Sequence, residues 1–121
     1  MKTIGDHIRK KRIELRLTQK ELAQKIGTSE VTIYNWENNY AKLSIKWWPK
    51  IIDFLGYAPY SPPQSLGDRL AAYRRFQGLT QKEVARKMGV NKTTIRDWEN
   101  REHIPKEKFF KIIQRFFKNT L

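Results

Sequence analysis

LTQKELAQKIG, residues 17–27, returns as LTQKEVARKMG at residues 79–89, and TIYNWEN from Thr32 returns as TIRDWEN from Thr94. Both correspondences sit at one offset, which pairs Thr18 with Thr80 and Trp36 with Trp98. Extended without a gap, residues 5–57 align with residues 67–119. More than a third of the positions are identical, where average composition gives roughly one in eighteen. The chain is therefore an internal duplication, and the repeat decides its organisation. Residues 56–66, GYAPYSPPQSL, separate the copies. Their three prolines stop a helix and favour an extended, semi-rigid connector. The expected division is a first domain at 1–57, a Pro-rich linker at 58–65 and a second domain at 66–121, with the boundary near Pro62.

One copy reads as a series of short helices. Ile4, Ile8 and Leu15 recur at near-helical spacing among charges, which predicts an amphipathic helix over residues 4–15 ending near Arg16. The second copy has Gly78 at that ending, as a left-handed C-terminal cap prefers, so Arg16 is a departure costing up to about 1 kcal/mol. Thr18 with Glu21, and Thr80 with Glu83, form the T-x-x-E capping box that starts a second helix. Leu22, Ala23 and Ile26, or Val84, Ala85 and Met88, are its buried face, and Gly27 or Gly89 closes it. Ser29 or Asn91 then caps a third helix, with Ile33 and Trp36, or Ile95 and Trp98, turned inward. A fourth helix holds Trp48, Ile51 and Leu55 in one copy and Phe110, Ile113 and Phe117 in the other. It starts near Lys46 in the first copy because of Pro49, while Pro105 suits its first turn in the second.

Short helix, tight glycine turn and second short helix with buried Ile and Trp is the helix-turn-helix pattern, whose second helix enters the DNA major groove. The run T-Q-x-E-(L/V)-A-x-x-x-G-x-x-x-x-T-I-x-x-W-E stands in both copies and resembles the lambda-repressor and Cro-like family over nearly the whole chain. The resemblance implies an all-α fold of two tandem lambda-repressor-like helix-turn-helix domains of four to five short helices each. It also implies a transcriptional regulator, a repressor first, that binds double-stranded DNA. By the same resemblance Gln19 and Gln81 donate to phosphate beside the orphaned N–H groups of their helix starts, with Lys20 and Lys82 adding charge. Asn38 and Asn100 touch phosphate just past the third helix, joined by Arg101 in the second copy. Glu37 pairs with Arg12, and Glu99 with Arg74, as partly buried ion pairs tying the first helix to the third.

The base-reading positions follow from which side of the third helix is buried. Glu30, Val31, Tyr34 and Asn35 face outward in the first copy, flanked by Ser29 and Thr32. Lys92, Thr93, Arg96 and Asp97 do so in the second, flanked by Asn91 and Thr94. These sets present different donors, acceptors and apolar groups, so the two half-sites are expected to differ in sequence. Asn35 suits adenine, Lys92 or Arg96 suits guanine, and Val31 or Thr93 suits a thymine methyl, with phosphate as the other reading for Arg96. Glu30 either complements the positive end of its helix or accepts from cytosine. Trp36 and Trp98 belong to the core by their spacing, not to a stacking platform for single strands. The runs from Arg9 to Arg12 and at Arg74 and Arg75 read first as solvated faces. Trp47, Phe54, Phe109 and Phe116 lie in pairs on single helical faces, either as core or as an interface between the copies.

Composition agrees with a nucleic-acid partner. Among 121 residues, 25 Lys and Arg oppose 12 Asp and Glu, a net charge of +13 that exceeds what solubility alone requires. Residues 1–62 hold eleven basic and six acidic side chains, and residues 63–121 fourteen and six, so the second copy is expected to bind non-specific DNA more tightly. There is no cysteine, and His7 and His103 lack partners at ligand spacing, so no metal or other cofactor is expected. No apolar run suits a membrane span and no signal peptide precedes the first helix, which together lead to an expectation of a cytoplasmic protein on the nucleoid, without a membrane partner. No paired nucleophile and base or glycine-rich phosphate loop points to an enzyme. One chain owning two reading helices suits a monomer, with a homodimer as the other arrangement. The competing function is a protein-interaction module, antitoxin-like or coactivator-like, against which stands the lack of a visible toxin-binding extension.

Overall fold

The computed structural model describes residues 3–100 together with Lys111 and Arg115. Over residues 3–100 the regular structure comprises seven α-helices and one 3-10 turn, and there is no strand among the described residues, so the all-α expectation holds. The chain divides into two compact units, Met1–Ser61 and Pro62–Leu121. No regular element lies between Leu55 and Leu66. The expected fourth helix of the second copy, with Pro105, Phe110, Ile113 and Phe117, lies outside the described residues, as do Arg101, His103, Phe109 and Phe116.

In the first unit α1 spans Ile4–Glu14, α2 Gln19–Ile26, α3 Glu30–Glu37 and α4 Trp48–Leu55. Thr3 opens α1 with a capping box closed by Asp6, and Thr18 opens α2 with one closed by Glu21. In each box a hydroxyl and a carboxylate satisfy two backbone N–H groups that the helix itself cannot. Ile8, Leu22, Ile33 and Ile51 are fully buried, and Ala23, Ile26, Trp36, Leu43 and Leu55 complete the core around them. Trp47 and Phe54 pack against this core, Trp47 edge-on to Trp36 at 5.8 Å. His7 Nδ1 and Tyr57 Oη are hydrogen-bonded at 2.8 Å, tying α1 to the segment beyond α4.

Two expectations need correction here. Leu15 is not on the inward face of α1: it is the C-cap residue and 45% exposed, and the inward line runs through Ile4, Ile8 and Arg12. The fourth helix begins at Trp48 and not near Lys46, because Pro49 has no N–H to give to the Ile45 carbonyl one turn back. The Trp48 N–H takes that carbonyl in a tighter Ile45–Trp47 turn instead.

The second unit repeats the plan in α5 Leu66–Gln77, α6 Gln81–Met88 and α7 Lys92–Glu99. Its core comprises Leu70, Val84, Ala85, Met88, Ile95 and Trp98, with Leu66, Tyr73, Leu79 and Val90 packed against it. α5 ends at Gly78 in the left-handed conformation, φ 69°, and the Leu79 N–H reaches back to the Arg74 carbonyl at 3.0 Å. Arg16 makes the same turn at φ 58°, with the Leu17 N–H on the Arg12 carbonyl at 3.0 Å. The first unit thus keeps a backbone shape that glycine would adopt without strain.

Candidate nucleic-acid interface

The geometry of the third helix in each unit is set from beneath. α2 ends at Gly27, φ 93°, and α6 at Gly89, φ 71°, both left-handed. Two residues on, Ser29 caps α3 by accepting from the Thr32 N–H, and Asn91 caps α7 by accepting from the Thr93 N–H. Ile33 with Trp36, and Ile95 with Trp98, anchor the inner sides. On the opposite side Glu30, Val31 and Tyr34 are exposed and Thr32, Asn35 and Asn38 half-buried. In the second unit Lys92, Thr93 and Arg96 are exposed and Thr94 and Asp97 half-buried. The outward-facing residues named from the sequence therefore do share one open face in each unit.

Several of these side chains already have protein partners. Ser29 Oγ and Thr32 Oγ1 are hydrogen-bonded at 2.8 Å, and Thr93 Oγ1 donates to Asn91 Oδ1 at 2.8 Å. Arg96 pairs with Asp97 at 3.1 Å while staying largely exposed. Asn38 Nδ2 donates to the Tyr34 carbonyl at 2.9 Å, and its Oδ1 accepts from Arg9 at 3.1 Å. Asn100 in the second unit is exposed. Lys20 and Lys82 are exposed in the first turns of α2 and α6.

Behind the face lies a buried carboxylate that ties three helices together. Arg12 Nε and Nη2 donate to the two oxygens of Glu37 at 2.7 and 2.9 Å, while Nη1 donates to the Leu17 carbonyl at 2.9 Å. Gln19 Nε2 joins at 3.2 Å and Arg9 Nε at 3.4 Å. Burial pushes the Glu37 carboxyl up, but the donors Arg12, Gln19 and Arg9 outweigh it and hold the group below its ordinary value. The same bond to Glu37 raises Arg12. In the second unit Arg74 holds Glu99 at 2.6 and 2.7 Å and Gln81 donates at 3.2 Å. The ion pairs implied by the resemblance are thus present.

Sequence reasoning missed two features. Arg9, placed among solvated basic residues, is committed to Glu37 and Asn38. Gln19 and Gln81, read as phosphate donors or as solvated first-turn residues, each spend one amide hydrogen on the buried glutamate and keep the other. No local signal marks them, because Glu37 lies 28 residues along the chain from Arg9 and 18 from Gln19.

The helix-turn-helix family profile matches this chain twice, over residues 8–60 and 70–121. The chain belongs to the helix-turn-helix family. Among curated relatives, it is 32% identical over 63 residues to an Antitoxin HipB of Escherichia coli O6:H1, covering 51% of this chain and 67% of that protein. It is 39% identical over 56 residues to an Antitoxin HipB of Escherichia coli K12, covering 46% and 62%. The chain thus spans about two thirds of the length of these relatives. No solved structure matches it significantly. Among the described residues of this helix-turn-helix protein, no helix is long and apolar enough to cross a membrane, and no three His, Asp or Glu side chains gather as metal ligands would.

Proposed function

We propose that the protein binds double-stranded DNA in a sequence-specific manner, with α3 and α7 each entering a major groove, and that it regulates transcription by repression. The observation that carries this reading is the duplicated outward face of the third helix, held on a Thr-capped helix-turn-helix frame in a chain of net charge +13. The N-termini of α2 and α6, with Lys20 and Lys82, are the phosphate-positioning elements. Gln19 and Gln81 donate to phosphate with their remaining amide hydrogens. Asn91, Lys92, Thr93, Thr94, Arg96 and Asp97 read one half-site and Ser29, Glu30, Val31, Thr32, Tyr34 and Asn35 the other. Asn100 and Arg101 hold the backbone, and Asn38 does so through its main chain. The connector of residues 58–65 reaches about 25 Å when extended and, with the width of the units added, allows reading helices one turn apart, about 34 Å.

Selection of the purified chain on a random duplex library at about 0.15 M salt tests this. Enrichment of two dissimilar motifs about one turn apart supports a two-headed reader. A chain that enriches no motif and releases all DNA as salt rises is a non-specific binder. A second reading draws on the named relatives: an antitoxin whose main partner is a protein. A stoichiometric protein partner recovered without any footprint on duplex DNA selects that reading over the first.

A further inference from the structure

The two reading faces carry opposite chemistry. α7 offers Lys92 and Arg96, while α3, EVTIYNWE, has no cation and two carboxylates, of which Glu37 is buried. Apart from the exposed Glu30 at its first turn, what α3 shows to solvent is apolar: Val31 is 67% and Tyr34 47% exposed, and Tyr40, from the turn beyond, is 72% exposed. Val31 and Tyr34 stand at i and i+3, side by side on the face turned away from the core. The turn brings Tyr40 back to Tyr34. Asn39 takes φ 60°, the Tyr40 and Ala41 N–H groups donate to the Asn35 carbonyl at 2.8 and 3.3 Å, and the Tyr34 and Tyr40 rings lie 5.9 Å apart, tilted by 60°. An aromatic ring held by a second ring presents its surface without losing much freedom on contact.

A helix that meets a polyanion without a cation must discriminate by something other than charge. The apolar feature that the major groove offers is the 5-methyl group of thymine, a group also present on 5-methylcytosine. Asn35, half-buried beside Tyr34, has the amide suited to adenine, the partner of thymine.

We infer that the first unit selects its half-site through 5-methylpyrimidine groups, with Val31 and the Tyr34 ring as the contact surface and Tyr40 as the residue that positions the ring. This rests on the DNA-binding reading above. The probe is the duplex enriched by selection, with each thymine replaced in turn by deoxyuridine, which removes the methyl alone. Burial of one methyl predicts a loss of about fourfold in affinity at each contacted position. Val31→Ala erases that loss in one half-site and leaves any methyl sensitivity in the other unchanged. Tyr40→Phe retains the sensitivity and Tyr40→Ala diminishes it at the same positions. A parallel duplex with 5-methylcytosine at each cytosine distinguishes the source: tightening there, abolished by Val31→Ala, assigns the methyl to modified cytosine. The inference falls if methyl removal is silent throughout, or if Val31→Ala leaves every sensitivity intact. A chain that enriches no duplex fails at the earlier step and overturns the DNA-binding reading itself.

Discussion

Replacing Arg12 by methionine removes both strong donors from a glutamate whose side chain is fully buried, and Arg74→Met does the same to Glu99, 7% exposed. Stripping one partner from a buried ion pair costs about 3–5 kcal/mol, because the remaining charge has neither water nor a counterion. The two units differ in what is left. Glu99 keeps Gln81 among the described residues, whereas Glu37 keeps Gln19 and also Arg9, whose Nε lies 3.4 Å away. Arg9 is 43% exposed and its contact is long, so about 1 kcal/mol is a fair value for it, at the top of the range for exposed ion pairs and below that for hydrogen bonds to buried charges. Arg12→Met is therefore expected to cost the first unit about 1 kcal/mol less than Arg74→Met costs the second, or about fivefold in opening equilibrium. Native-state hydrogen exchange of the whole chain reads this directly, at the fully buried Leu22 and Ile33 in one unit and Val84 and Ile95 in the other. Adding Arg9→Met to Arg12→Met closes the gap. Equal losses in the two single variants, or no added loss from Arg9→Met in the Arg12→Met background, refute the reasoning.

A Cβ on Gly5 would stand 2.3 Å from the Trp36 carbonyl oxygen, and one on Gly67 2.0 Å from that of Trp98, so Gly5→Ala and Gly67→Ala each force a helix off its neighbour. Each is expected to cost about 1–3 kcal/mol, seen as exchange confined to its own unit. Arg16→Gly relieves a left-handed non-glycine residue but loosens the unfolded chain, for a net gain of about 0.5 kcal/mol in chemical denaturation. Because the folded Glu37 carboxyl lies below its ordinary value of 4.5, the stability it supplies is complete above that value and lost as pH falls through the lower folded one. Acid unfolding of the first unit followed by Trp fluorescence should show this limb, and Glu37→Gln should flatten it. Lys92→Ala and Arg96→Ala are each expected to shrink the salt slope of DNA binding by about one where the side chain meets phosphate, whereas Val31→Ala leaves the slope unchanged.

The frame was legible because its signals are local. Thr18 with Glu21, Thr80 with Glu83, and the glycines at 27 and 89 each act within one turn of chain, so reading the sequence placed α2, α3, α6 and α7 to the residue. Ile33 and Trp36 gave the buried side of α3, and by subtraction the open one. What stayed hidden acts across the chain. Arg9 looks like one more cation in a basic run, and only the folded distance to Glu37 and Asn38 separates it from its neighbours. Gly5 and Gly67 sit inside helices, where glycine costs about 1 kcal/mol against alanine, which hinted at a reason without naming the carbonyl it makes room for. Leu15 misled because helical spacing was carried one residue past the end of α1.

The close approach at those two glycines also bears on how such a protein diversifies. Main chain of α1 rests on the last carbonyls of α3, and Ile33, Trp36 and Glu37 hold the helix from inside, so beyond its Ser29 cap its attitude owes little to the residues on the outer side. Those outer residues form an interchangeable keyface. After duplication one copy was free to become cationic and the other apolar, with no compensating change demanded beneath. A designer can rewrite the same positions in either unit and expect the lock plate behind them to stay where it is.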